Sequence, residues 1–191
     1  MGTRSRAGFD KLSLIRAVDQ MLWPTTLLAA RLAAKLPRRR SERNVVIRPG
    51  GMGDLICLHM AMEELGIDPG SYLWIVEERS MPWVTMMNLP YRLISTRLLR
   101  SVARYRHVVN SEQHYGASQI IAIALAGRGR SVTSLSTVRG SYTATRICPY
   151  SPTHTHEMES FVRLLSMAHD LPRPSAGPLR VRRQPASGGL V

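Results

Sequence analysis

A carboxylate stands at the end of a glycine-rich turn in the stretch Arg48-Pro49-Gly50-Gly51-Met52-Gly53-Asp54. Gly50, Gly51 and Gly53 leave the backbone open to close approach, and such a turn ahead of a helix is a generic cradle for anionic groups. The turn lacks the Gly-Lys-Ser/Thr ending of a P-loop and the Gly-x-Gly-x-x-Gly spacing of a dinucleotide fingerprint, so ATP hydrolysis and NAD binding lose support. Position is what remains, because open α/β sheets bind ligands beyond the carboxyl ends of their strands. On local pattern alone Asp54 is an N-cap, since aspartate caps helices well and negative charge suits a helix start.

The flanking residues say what must hold that turn. Val45, Val46 and Ile47 form an uninterrupted β-branched run, as in a strand buried on both faces of a parallel sheet. After the turn, Leu55, Leu58, Met62 and Leu65 recur at helical spacing, and Gly66 suits the position just past a helix end. The alternation continues. Strands are predicted at 72–76, 91–94, 107–110 and 131–135, with helical pieces at 82–87, 96–103, 117–126 and 156–168. Strands alternating with helices imply an α/β fold, a mainly parallel sheet covered on both faces.

The two ends of the sequence read differently. Residues 1–43 carry two apolar stripes, Leu12, Ile15, Val18 and Leu22, then Leu27, Leu28, Leu32 and Leu36, separated by Pro24 and followed by Arg38-Arg39-Arg40. This predicts a basic amphipathic helical arm, with its apolar face either packed on the main domain or docked on an anionic membrane surface. Residues 44–170 are the expected domain, and 171–191, rich in Pro, Gly, Ser and Arg, are expected to be a flexible tail or linker.

Composition narrows the function classes. A chain of 191 residues with 44% hydrophobic and 20% charged residues fits one globular core. The 26 Lys and Arg against 13 Asp and Glu give a net charge of +13, which favours acidic partners. Nucleic acid is a poor candidate, because no recognised module accompanies the charge, which gathers in the flanks. Cys57 and Cys148 are too few for a disulfide framework or a zinc site, as in a reducing cytoplasm. No segment approaches the roughly 18 apolar residues of a membrane span.

The stretch "VVIRPGGMGDLICLHMAMEEL" resembles the N-terminal signature of glycosyltransferase family nine, the ADP-heptose:lipopolysaccharide heptosyltransferases. Further blocks, "NSEQHYGASQIIAIALAGRG", "VRGSYTATRICPY" and "HEMESFVRLL", follow in the family's order and approximate spacing. The resemblance, from about Asn44 to Ala168, implies the N-terminal, acceptor-side half of a GT-B fold, with a Rossmann-like three-layer parallel sheet. It implies that Asp54 is the general base that takes the proton of an acceptor hydroxyl in an inverting transfer, and that Gly50, Gly51 and Gly53 let the substrate approach. A positioned carboxylate can assist such a step by about 10²–10⁴-fold.

Within that resemblance Glu112 and Gln113, just past a predicted strand, are candidates for hydrogen bonding the acceptor, or are ordinary loop polarity. Arg48 and Arg139 are candidates for an acceptor phosphate or carboxylate, which a guanidinium fork suits, or are solvated surface arginines. No metal is expected: His154 and His156 lack a third ligand, and no Asp-x-Asp triplet occurs. The expected partners are a glycan or glycolipid acceptor and, as co-substrate, a nucleotide-sugar such as ADP-heptose, at the cytoplasmic face of the inner membrane. Nothing after Ala168 reads as a second α/β domain, so the donor-binding half is expected to be missing and activity of this chain alone is doubtful. The alternative expectation is a non-catalytic module that binds an anionic glycolipid or a partner chain.

Overall fold

The computed structural model describes residues 23–32, 35, 41–94, 105–113, 116–126, 130–151 and 156–172. Six strands make one sheet: β1 (Asn44–Ile47), β2 (Tyr72–Val76), β3 (Tyr91–Leu93), β4 (His107–Asn110), β5 (Ser131–Leu135) and β6 (Arg146–Cys148). Their order is β3-β2-β1-β4-β5-β6 and every neighbouring pair is parallel. The helices are α1 (23–32), α2 (Met52–Glu64), α3 (Met81–Met86), α4 (Gly116–Ala126) and α5 (Glu157–His169).

The two faces follow from the alternation of side chains along each strand. Val46, Trp74, Val109 and Leu135 point to one face, where they meet Leu55, Leu58 and Met62 of α2 and Phe161, Leu164 and Leu165 of α5. Val45, Ile47, Leu73, Ile75, Val108 and Val132 point to the other, against Ala122, Leu125 and Ala126 of α4. Because both faces are covered, all five residues of β2 are buried, as a parallel strand requires. The fold is therefore the expected Rossmann-like three-layer parallel sheet.

Local details follow the sequence closely in most places. Gly66 takes φ +67° just past α2, and the N–H of Ile67 donates to the Met62 carbonyl at 2.8 Å. Only a residue without a Cβ adopts that left-handed turn at no cost. Strand β6 has no counterpart among the expected strands. It has only three residues, with exposed Ile147 between Arg146 and Cys148, and its extended form comes from pairing with β5. The helix expected over 96–103 lies outside the described residues, as do most of the arm and nearly all of the tail.

The described part of the arm corrects the expected stripe. Trp23, Leu27 and Ala30 are the buried residues of α1, whereas Leu28 and Leu32 are 59% and 54% exposed. The anchor is Trp23, whose ring fills the space beside Gly140 in the β5–β6 loop. A Cβ at Gly140 would lie 2.0 Å from that ring, and Gly140 itself has φ +80°. The Arg139 guanidinium covers the ring at 5.7 Å, and the indole N–H donates to the Tyr142 hydroxyl at 3.3 Å.

Gly140→Ala is accordingly expected to expel Trp23 into water. Tryptophan emission should move to longer wavelength and stability should fall by about 1–3 kcal/mol, the range for forcing atoms into a filled site. Unchanged emission and an unchanged thermal midpoint would remove this packing from the account.

Candidate functional site

Strand order reverses direction between β1 and β4, and the crevice beyond their carboxyl ends is where a sheet of this kind binds ligands. The chain leaves β1 through Arg48 and the glycine turn, and leaves β4 through Ser111, Glu112 and Gln113. Arg48 is 3% exposed, which excludes the solvated-surface reading. Its Nη1 donates to the Ser111 carbonyl. Its Nη2 pairs with Asp54 Oδ2 and lies 3.2 Å from Glu157 Oε1. The guanidinium stacks over Phe161 at 5.3 Å from the ring centre.

Asp54 does not cap its helix. The N-cap is Gly51, no side chain caps that end, and Asp54 lies in the first turn of α2. Position in the first turn still suits its charge, yet the carboxylate is directed to Arg48, a full unit charge that outweighs a terminal half charge. Gly50 has a different role from the one expected of it. A Cβ there would lie 2.9 Å from both Arg48 Nε and Asp54 Oδ2, so the absence of a side chain makes room for the ion pair. Gly51 and Gly53 face open space, where a Cβ would meet nothing within 4 Å.

The expected polar residues divide into two groups. Gln113 joins the cluster, its Nε2 donating to Glu157 Oε1. Glu112 is buried and turns back on its own loop, where Oε1 accepts from the Gln113 N–H at 2.9 Å. Arg139 lies over Trp23, with its Cζ 5.7 Å from the ring centre. His156 caps α5 by accepting the Met158 N–H at its Nδ1, 3.3 Å away, and His154 lies outside the described residues. Among the described residues no group of three His, Cys, Asp or Glu is arranged to hold a metal ion.

Glu157 is the residue that sequence reasoning missed. It begins α5, within the block "HEMESFVRLL", and reaches the site because α5 packs against α2. Burial pushes its carboxyl up from the ordinary glutamate value; the Asp54 charge adds to this, while Arg48 and the Gln113 amide oppose it. Cys57 and Tyr150 border the same cluster, and burial, together with the charges of Glu157 and Asp54, pushes both upward. Two carboxylates around one guanidinium leave the cluster with an excess negative charge, suited to accepting a proton.

The sequence matches no family model and no curated protein. Solved structures do match. An E. coli heptosyltransferase, WaaC, in complex with ADP is 18% identical with a TM-score of 0.53, covering 71% of this chain and 49% of that one. The same enzyme with ADP-2-deoxy-2-fluoro heptose is 17% identical with a TM-score of 0.53, covering 71% and 50%. The chain thus spans about half the length of these structures, and at such identity the likeness is one of fold.

Arg48→Met should destabilise the protein by about 3 kcal/mol at neutral pH. That is the low end for breaking a buried pair, because Asp54 and Glu157 side chains are 31% and 30% exposed. Without the cation the Glu157 carboxyl is driven further up. A folded-state value above the unfolded one gives stability that is present below about pH 4.5 and lost as pH rises through the folded value. The deficit should therefore be larger at pH 7.5 than at about pH 5 in urea unfolding; a pH-independent deficit would contradict the electrostatic account.

Proposed function

We propose that this chain is the acceptor-side domain of a metal-independent, inverting glycosyltransferase of heptosyltransferase type. The observation that carries the reading is a partly exposed carboxylate, Asp54, at the mouth of the crevice between β1 and β4, beside the open backbone of Gly51 and Gly53. The fold shared with the ADP- and ADP-heptose-analogue-bound enzyme supports it. In this reading a hydroxyl of a lipopolysaccharide-type or other cell-surface glycan enters over the glycine turn, and Asp54 takes its proton as the oxygen attacks the anomeric carbon of a nucleotide-sugar. An alcohol is a poor nucleophile at neutral pH, so the carboxylate supplies assistance of about 10²–10⁴-fold. In this reading a second domain facing this one holds the nucleotide-sugar, and the setting is the cytoplasmic face of the inner membrane.

The direct test is fusion to the nucleotide-sugar-binding half of the matched heptosyltransferase, with ADP-heptose as donor. Asp54→Asn should lower kcat by on the order of 10²-fold or more with a smaller effect on KM. Full turnover by a folded Asp54→Asn protein would return Asp54 to a purely structural role as the partner of Arg48.

A second reading, binding of an anionic surface without catalysis, is favoured by a separate observation. Arg43, Arg106, Arg130 and Arg146 all lie at or beside the amino ends of strands, on the edge opposite Asp54. Arg130 and Arg146 are paired with Glu42 and Asp170, and Arg43 and Arg106 are exposed. On this reading the chain should bind vesicles containing phosphatidylglycerol more tightly than neutral vesicles. Arg43→Glu with Arg106→Glu should weaken that binding about tenfold or more, at roughly 1 kcal/mol per basic residue, and added salt should weaken it further. Equal binding to both kinds of vesicle would remove this reading.

A further inference from the structure

Asp54 shares its cation with a second carboxylate. Arg48 is buried, fixed by the Ser111 carbonyl and the face of Phe161, and pairs through Nη2 with Asp54 Oδ2. Glu157 Oε1 lies 3.2 Å from the same Arg48 Nη2, and the Asp54 and Glu157 carboxyls are within hydrogen-bonding reach of each other. Gln113 holds Glu157 from a third side through its amide. Among the described residues, the other titratable groups whose charge state responds to the pair are Cys57 on α2 and Tyr150 after β6. Both are pushed toward their neutral forms by burial first and by the two carboxylates next, so neither adds charge at neutral pH.

We propose that Asp54 and Glu157 form one proton-accepting unit over Arg48, in which Glu157 is the positioning residue that shares the guanidinium with Asp54 and accepts the hydrogen bond of Asp54 once it carries a proton. This rests on the reading of Asp54 as the proton acceptor and extends it to a residue on another helix. With both carboxyls ionised, two negative charges share one positive charge. When Asp54 takes a proton, it becomes a neutral acid that donates a hydrogen bond to the Glu157 carboxylate, which keeps its ion pair with Arg48. The repulsion between the carboxylates disappears in the same step, a release that an isolated aspartate–arginine pair lacks. The proton comes from the acceptor hydroxyl. Its oxygen forms the new bond to the anomeric carbon, while the bond from that carbon to the diphosphate oxygen breaks and its electron pair leaves with the nucleotide.

The first test needs no turnover. Carboxyl NMR of the full chain, isotope-labelled at Asp and Glu side chains and titrated at low salt, should give Glu157 a curve coupled to that of Asp54. Asp54→Asn should lower the Glu157 midpoint by about one pH unit, and Gln113→Ala, which keeps both carboxylates and spares the Arg48 pair, should raise it. A Glu157 midpoint that is the same in the parent and in both variants would overturn the proposal. If Asp54→Asn fails to fold, Gln113→Ala alone decides it. In the fused enzyme, Glu157→Gln should lower kcat about tenfold and move the acidic limb of the pH profile to lower pH. Coupled titration without any sugar transfer would sink the transferase reading and leave the pair standing. Transfer that depends on Asp54, with a pH profile unmoved by Glu157→Gln, would sink the pair and leave the transferase reading standing.

Discussion

Arg48 is a cation removed from water at the point where the sheet changes direction, and neutralising it shapes this end of the molecule. An unpaired buried charge costs several kcal/mol, so everything that approaches Arg48 has to answer it. Asp54 does so from α2, Glu157 from α5 and the Ser111 carbonyl from the end of β4. The two longest helices on that face are therefore joined to the central strands by one guanidinium as well as by their apolar packing. Its Nε has no acceptor among the described residues, and a side chain at Gly50 would collide with the pair. Steric room and charge balance at the turn are thus a single requirement.

Charge is also divided between the two edges of the sheet. Asp54 and Glu157 gather at the carboxyl edge, and arginines precede or begin most strands at the amino edge. Two histidines at the amino edge respond to this surrounding. His107 and His169 are held below the ordinary histidine value, by burial first and then by Arg106. His169 ends α5, where the helix dipole favours a cation by about 0.3–1 kcal/mol. Burial wins over that term, and the buried Tyr72 hydroxyl is hydrogen-bonded to the ring at Nε2. A strongly basic edge thus lies opposite the edge that carries Asp54 and Glu157.

The arm and the loop after β5 illustrate where pattern reading slips by one position. Counting leucines alone gave a stripe of Leu27, Leu28, Leu32 and Leu36, whereas the buried residues of α1 are Trp23, Leu27 and Ala30, with Leu28 and Leu32 exposed. A helical stripe about 100° wide can be drawn through either set. The hollow at Gly140 selects the one that carries the largest ring, and that hollow belongs to a loop more than a hundred residues away. The same loop carries Arg139, whose guanidinium covers that indole.

The sequence by itself determined the α/β architecture and the place of the glycine turn. Runs such as Val45-Val46-Ile47 and Tyr72-Leu73-Trp74-Ile75-Val76, and the apolar spacing of α2 and α5, express local periodicities of two and 3.6 that survive in any context. It also marked Asp54, Arg48 and Gln113 individually, because each follows the carboxyl end of a recognisable strand or its turn. Only the tertiary structure decided what these residues do to one another. Asp54 looked like a cap because capping is a local property; it is an ion-pair partner because Arg48 is buried beside it. Strand β6 exists through its ladder with β5, and Glu157 enters the site through the packing of α5 on α2. Charge pairing between residues as distant as Arg48 and Glu157 is a property of packed surfaces, and no periodicity along the chain encodes it.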